Sequence, residues 1–298
     1  SEGLETSDCR QKVIEKLNEL GLIEKTENLT HNLGRCQRCG TIIEPLYSKQ
    51  WFLKMAELAK KAKKAVKNGS IKIYPEKWEG PYLDWFENIR DWNISRQLWW
   101  GHPIPGSQDQ DVLDTWFSSA LWPFAVLGWP SSANDFKNFY PTQFITSGRD
   151  ILYLWIARMI FSGMELTGKI PFKEVFIHPT VLTKDGQRMS KSLGTGIDPL
   201  ILIEKYGADA LRFGLAFQTT GVQDMKFNED VIDAGKKFAN KIWNASRFIM
   251  LNLEPNKEYE LKLPSKSDAM DQKIVSEFKN LAESTRGNIE KFRFGQAA

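Results

Sequence analysis

The sequence predicts an α/β fold built on a parallel sheet, with an all-helical region after it. Two strand-like runs, Gln143-Phe-Ile-Thr146 and Glu174–Leu182, flank a helical pattern from about Asp150 to Met164. From Glu229 onward the apolar residues recur instead at steps of three and four, the period of helices alone. A strand–helix–strand order of this kind gives a right-handed unit with parallel strands. Ligands on such sheets bind beyond the carboxyl ends of the strands.

Taken along the chain, Gln11–Leu20 reads as a short amphipathic helix with Val13, Ile14, Leu17 and Leu20 on one stripe, ended by Gly21. Thr30–Tyr47 contains Gly34, Gly40 and Pro45 and reads as turns and short strands. Trp51–Lys67 reads as a helix with Phe52, Met55, Leu58, Ala62 and Ala65 inward, stopped by Asn68-Gly69. Its other side carries Lys60, Lys61, Lys63, Lys64 and Lys67, either a solvated face or a contact with RNA phosphates. Asp198-Pro199 is a helix start, an N-cap residue followed by proline in the first turn. Val231, Ala234, Phe238, Ile242, Ala245 and Ile249 form one helical stripe. Beyond Pro255 and Pro264, Ile274, Phe278, Leu281 and Thr285 begin another, and the domain change falls near residue 225.

With 298 residues, 42% hydrophobic and 26% charged, the chain has the composition of a globular protein of about two domains. A net charge of +3 is too small to diagnose a nucleic-acid partner. Tryptophans cluster between Trp78 and Trp129, where they are expected to cover one broad packed surface. No apolar run reaches bilayer length, and Ile151–Met164 carries Arg158, so no membrane association is expected. No signal segment opens the chain, and three cysteines do not make a disulfide framework; together these favour the cytoplasm. Cys36-Gln-Arg-Cys39, with Gly40 after it, is half of a zinc ribbon, and Cys9 and His31 are the nearest further ligand candidates. Cys36 and Cys39 are the candidate zinc ligands, and a tetrahedral site needs two more.

The segment richest in chemistry is Asp185-Gly-Gln-Arg-Met-Ser-Lys-Ser192, set between Gly186 on one side and Gly194 and Gly196 on the other. Glycines let such a loop close over a ligand and open again, and Lys191 with the Ser190 and Ser192 hydroxyls suits a polyphosphate. On residue types alone, an ordinary solvated loop with two basic residues is the favoured reading, because loops of Lys, Ser and Gly are common.

The run Gly186-Gln-Arg-Met-Ser-Lys-Ser-Leu-Gly194, followed by Gly196-Ile-Asp-Pro199 and Tyr206-Gly-Ala-Asp-Ala-Leu-Arg212, resembles the K-M-S-K-S region of class I aminoacyl-tRNA synthetases. Asn93-Ile-Ser-Arg-Gln-Leu-Trp-Trp-Gly-His102, Asp111-Val-Leu-Asp-Thr-Trp-Phe-Ser-Ser119, Asp150-Ile-Leu-Tyr-Leu-Trp-Ile-Ala-Arg-Met159 and Asn240-Lys-Ile-Trp-Asn-Ala-Ser-Arg-Phe248 resemble the valine-specific branch of that family. The isoleucine and leucine branches are the nearest alternatives, and an RNA-binding module without catalysis is a rival of another class. The resemblance covers roughly residues 4–298.

It implies the second half of a Rossmann-like class I catalytic fold over residues 51–225. A connective segment from the editing domain would occupy 1–50, and a helical stem toward the anticodon-binding domain 226–298. The implied substrates are ATP with Mg, valine and the tRNA for valine, in a monomeric enzyme. The implied ATP-binding residues are Arg188, Met189, Ser190, Lys191, Ser192 and His178, with Lys191 catalytic on the departing pyrophosphate. The family's first signature lysine is here Arg188, which keeps the charge and changes its geometry. His178 is followed by Pro179 where the family commonly has glycine. Trp116, Asp150, Ile151 and Trp155 are the implied valine pocket. In valine enzymes a cysteine-bearing knuckle follows the Trp-Trp-Gly-His segment, whereas here Pro105 leads directly into Gly106-Ser107. No H-I-G-H-type tetrapeptide, glycine fingerprint or P-loop occurs in the chain, so the first half and the editing domain are expected to precede residue 1.

Overall fold

A computed structural model describes the chain apart from residues 1–2, 37–38, 45–46, 109, 132, 191–193, 222–223, 255–256 and 260–267. It forms two compact units, Ser1–Lys49 and Gln50–Ala298. In the first, helix α1 (Thr6–Glu19) begins earlier than its stripe predicts, and Val13, Ile14, Leu17 and Leu20 are exposed. A bridge between Arg35 and Ile42 brackets the two neighbouring cysteines.

In the second unit the helix expected from Trp51 begins only at α2 (Ala56–Lys67). Phe52 and Leu53 form β1 instead and pair antiparallel with Asn93 and Trp92 of β3 (Trp92–Asn93), which leaves Phe52 exposed. Met55, Ala62 and Ala65 are buried as expected, joined by Ala59 and Val66. This alanine-lined face lets α2 lie close against the sheet and its crossover helix.

Strand β2 (Lys72–Tyr74) is too short to read from its pattern, yet it pairs parallel with the strand at Phe172–His178. Helix α3 (Glu79–Glu87) follows, then the β4 (Ser95–Arg96) and β5 (Val112–Leu113) pair. Next come the short helices α4 (Thr115–Ala120), α5 (Trp122–Ala125) and α6 (Asn134–Phe139). Strand β6 (Thr142–Gly148) and β7 (Phe172–His178) run parallel, as predicted, and the sheet order is β2-β7-β6. The predicted helix between them starts as a 3-10 turn, Arg149–Ile151, passes through a π turn, Leu152–Ile156, and becomes α7 (Ala157–Thr167). Gly168, at φ 71, ends it. Ile73, Val175 and Ile177 of the sheet, Met159, Ile160 and Phe161 of α7, and Tyr82 and Phe86 of α3 form the main core.

The strand expected over Glu174–Leu182 is two strands. Pro179 has no N–H for a ladder, so β7 stops at His178 and β8 (Val181–Leu182) pairs parallel with β9 (Met225–Lys226) in a separate sheet. Asp198 caps α8 (Pro199–Tyr206) as predicted, accepting from the Leu200 N–H at 2.9 Å. Helix α9 (Ala208–Phe217) and α10 (Glu229–Leu251) meet around a smaller core of Leu202, Ala210, Leu211, Phe227 and Ile232. They touch where Gly235 lies: a Cβ there would stand 2.9 Å from the Ala210 carbonyl oxygen. Gly235→Ala should cost about 1–3 kcal/mol by overpacking this crossing, read as a lower urea midpoint. An unchanged midpoint would refute the contact.

The predicted stripe of α10 is only partly a packed face. Val231 is half-buried, but Ala234, Phe238, Ile242, Ala245 and Ile249 are exposed, and the buried residues are Ile232 and Gly235, one position along. The stripe of α11 (Ala269–Glu290) is likewise exposed at Ile274, Phe278 and Leu281. Pro255 and Pro264 lie outside the described residues. The chain then ends in α12 (Phe294–Ala297). Among the described residues no helix is long and apolar enough to cross a membrane.

The tryptophan-rich stretch does not form one continuous surface. Trp85 stacks on Tyr153 at 5.6 Å and Trp92 meets Phe161 at 6.1 Å. Trp99 and Trp100, however, are 95% and 88% exposed.

Candidate active site

The carboxyl ends of β2, β7 and β6 fall at Tyr74, His178 and Gly148, and Gly148 pairs with His178. The His178 imidazole is exposed, and its Nδ1 lies 3.0 Å from the Pro179 carbonyl oxygen. A Cβ on Gly148 would sit 3.8 Å from the ring, in ordinary van der Waals contact, so Gly148 directly flanks His178.

The signature loop is tied to these strand ends on several sides. It leaves β8 through a turn in which Gly186 N–H donates to Thr183 O at 2.9 Å and Thr183 N–H to Gln187 O at 2.8 Å. Gly186 takes φ 82, and a Cβ there would meet the Lys226 side chain at 3.2 Å. Arg188 bridges back to Leu182 and places its Nη1 2.8 Å from Asp150 Oδ2. Beside it Arg149 pairs with Asp224 at 2.8 Å, and Asp224 also accepts from the Thr180 N–H at 3.0 Å. Met189 turns the other way and packs against the Leu202, Leu211 and Ile232 cluster. Ser190 N–H donates to the Thr195 hydroxyl at 2.9 Å, and Thr195 N–H returns to Ser190 O at 3.2 Å. This pair pins the loop on both sides of Lys191. Lys191 and Ser192 themselves lie outside the described residues.

The implied pocket residues come from two neighbouring elements. Asp114 caps α4, accepting from the Trp116 N–H at 3.1 Å. Trp155 lies in the π turn and donates its Nε1–H to Ser119 O at 3.1 Å, which fixes that turn against the end of α4. Its ring approaches Trp122 at 6.4 Å. Ile151 is half-buried at the start of this segment, and Asp150, one residue earlier, is exposed and held by Arg188. π turns inside helices recur at functional sites because the extra residue re-aims side chains. Behind them Asp114 is 4% exposed and accepts from Trp92 Nε1 at 3.0 Å and Arg96 at 2.7 Å, while the buried Arg158 Nη1, without a hydrogen bond of its own, faces it as an ion pair at 3.6 Å. The Arg158 guanidinium lies over the Trp92 ring at 3.9 Å. Burial pushes its pKa down, Asp114 opposes this and Arg96 adds to it.

Arg149, Asp224 and Lys226 were not singled out in the sequence. Asp224 and Lys226 follow no periodic pattern; the parallel pairing of β8 with β9 brings Lys226 to the loop, and Asp224 precedes that strand.

In the first unit Cys36 O accepts from the Gly40 N–H at 3.0 Å and Arg35 donates to Gly40 O at 2.9 Å. Two thiols supply half of a tetrahedral set. Among the described residues no group of three His, Cys, Asp or Glu is placed to hold a metal. These residues do not fit a zinc site by themselves. The Cys39 pKa is instead drawn down to about 7, first by its hydrogen bond with the Thr41 hydroxyl and then by the Thr41 backbone and Cys36. Iodoacetamide labelling of exposed Cys39 should therefore reach half its maximal rate near pH 7; a midpoint at the ordinary thiol value of about 8.5 would count against this environment.

Comparison with known protein families matches residues 5–107 and 106–228 to the tRNA synthetases class I (I, L, M and V). The chain belongs to this family. The synthetase chain is 45% identical over 323 residues to a valine–tRNA ligase of Clostridium tetani and 46% over 323 residues to that of Thermotoga maritima. Each alignment covers 99% of this chain and 37% of the relative, so the chain spans little more than a third of their length. In structure it is similar to methionyl-tRNA synthetase of Mycobacterium tuberculosis bound by methionyl-adenylate, with a TM-score of 0.71 at 21% identity, covering 91% of this chain and 54% of that one. A leucyl enzyme of Agrobacterium radiobacter in a ternary complex gives 0.58 at 20%, covering 70% and 35%. At such identities the likeness establishes the fold, the α/β catalytic type with a parallel sheet. The alignments are longer than the chain, and the family match breaks into two segments at residues 106–107. The exposed Trp99 and Trp100 stand just before that break.

Proposed function

We propose that this chain supplies the signature-loop half of the active site of a valine–tRNA ligase. In this reading the carboxylate of valine attacks the α-phosphorus of ATP. The bond to the bridging oxygen breaks, and pyrophosphate leaves with its charge. A terminal hydroxyl of the tRNA for valine then takes the acyl group and releases AMP. The observation that carries the reading is the Arg188–Asp150 pair, which ties the loop across the strand ends to the segment that starts the pocket. Relatives about 45% identical, all valine–tRNA ligases, favour valine over isoleucine or leucine.

Charge accumulates on the departing pyrophosphate, and a cation placed there stabilises the transition state more than the ground state. Lys191 takes that role, with Arg188, Ser190 and Ser192 as further donors. Met189 holds the loop in place through its packing, and His178 borders the adenosine side. Trp116, Ile151 and Trp155 give valine an apolar pocket, with Asp150 at its rim. Mg enters with ATP as its complex and shields the phosphates. We place the enzyme in the cytoplasm as a monomer, with residues 1–50 returning from the editing domain and 226–298 leading toward the anticodon-binding domain.

In the complete enzyme, Lys191→Ala should lower the rate of valine-dependent pyrophosphate exchange about 100- to 1,000-fold and change the KM for valine far less. Equal losses in both parameters, or exchange driven equally by isoleucine, would overturn the assignment.

A further inference from the structure

The sheet has a second face that the main core does not use. Tyr74, Phe176 and Thr146 stand side by side across its three strands, and Phe144 lies one step back on the same side. Against this face rests the turn that follows α11. Phe292 meets Tyr74 at 4.8 Å, Phe144 at 5.0 Å and Phe176 at 5.5 Å, so one ring touches all three strands. Phe294 adds an edge contact with Phe176 at 5.6 Å. Phe292 has φ 55, the positive φ of a non-glycine residue, a conformation kept where surroundings over-determine it. The next residues dock through the backbone: Gly295 N–H donates to Thr219 O at 3.2 Å, and a Cβ on Gly295 would stand 2.6 Å from that oxygen. Strand alternation puts His178 on the same face as Phe176, two residues on, opposite Gly148.

We propose that the Phe292–Gly295 turn is a positioning element for the active site. Through it the long helix α11 sets the strand ends that carry His178 and Gly148. The proposal rests on the function argued above for what those ends bind, and the contact itself is independent of it. Phe292 acts through Phe176 and Phe144 and touches no reacting atom in this reading.

The test compares the 298-residue chain with Phe292→Ala, Phe292→Leu, Phe292→Tyr, Gly295→Ala and, as a control on α11, the exposed Ile274→Ala. Two readouts are amide hydrogen exchange and the imidazole resonances of His178, one of only three histidines. Phe292→Ala and Gly295→Ala should speed exchange at residues 146–148 and 176–178 about tenfold or more and shift the His178 resonances. Phe292→Tyr should restore both, Phe292→Leu should fall between, and Ile274→Ala should change neither. Faster exchange confined to residues 290–298, with His178 unmoved, would overturn the proposal. So would loss of the whole fold in all of the Ala and Leu variants, since a positioning contact must be separable from the core. Neither readout needs nucleotide, so failure here leaves the ligase reading standing, and that reading is judged by the Lys191→Ala assay.

Discussion

Asp114→Ala should destabilise the second unit by about 3–5 kcal/mol, the range for breaking a buried, hydrogen-bonded ion pair by removing one partner. The carboxylate is buried, and its loss leaves the largely buried Arg158 and the partly exposed Arg96 without their shared counter-ion. It also removes the acceptor of Trp92 Nε1 and the cap of the α4 backbone. Asn in the same place keeps the cap and loses the charge, so Asp114→Asn should fall between. Adding Arg158→Met to Asp114→Ala should recover part of the loss, because one buried cation is then gone. Urea unfolding of the four chains measures these differences; a loss below about 1 kcal/mol for Asp114→Ala would mean the hub contributes as weakly as a surface pair.

The second large effect is catalytic. The 298-residue chain by itself should show no valine-dependent pyrophosphate exchange, a deficit of at least about 10,000-fold against a complete valine–tRNA ligase. Catalysis of this kind rests on positioning and on preorganised charge around the transferred group, and both need the nucleotide held from two sides. This sequence contributes the signature loop and no H-I-G-H-type tetrapeptide, glycine fingerprint or P-loop to face it. Exchange within tenfold of the complete enzyme's rate would sink the claim and show that His178, Arg149 and the loop suffice.

Local patterns made the parallel β6–β7 pair, the Asp198 cap and the signature loop readable, because each is written in residues close together in sequence. The Asp114 hub was not, since Trp92, Arg96, Asp114 and Arg158 share no spacing and meet only through tertiary folding. Phe52 fits a helical stripe locally, and strand pairing with Asn93, a tertiary contact, overrides it. The π turn gave no signal, as its apolar residues also satisfy an ordinary helix. Trp116 and Trp155 were assigned to one pocket by resemblance, and the structure sets their elements side by side through the Trp155–Ser119 hydrogen bond. Arg149 and Asp224, by contrast, are joined across the loop by a pairing that no short window of sequence contains.

Met189 gives the signature loop a fulcrum. Its side chain sits in the small core with Leu202 and Ile232, while Arg188 on one side reaches outward to Asp150. Any displacement of Arg188 relative to the small core therefore turns about a seated thioether, because neighbouring side chains of the loop face opposite ways. Lifting the whole loop away would expose that apolar seat to water, so rocking costs less than release. The seat of one methionine thus constrains residues 188–190 alongside the positive φ of Gly186.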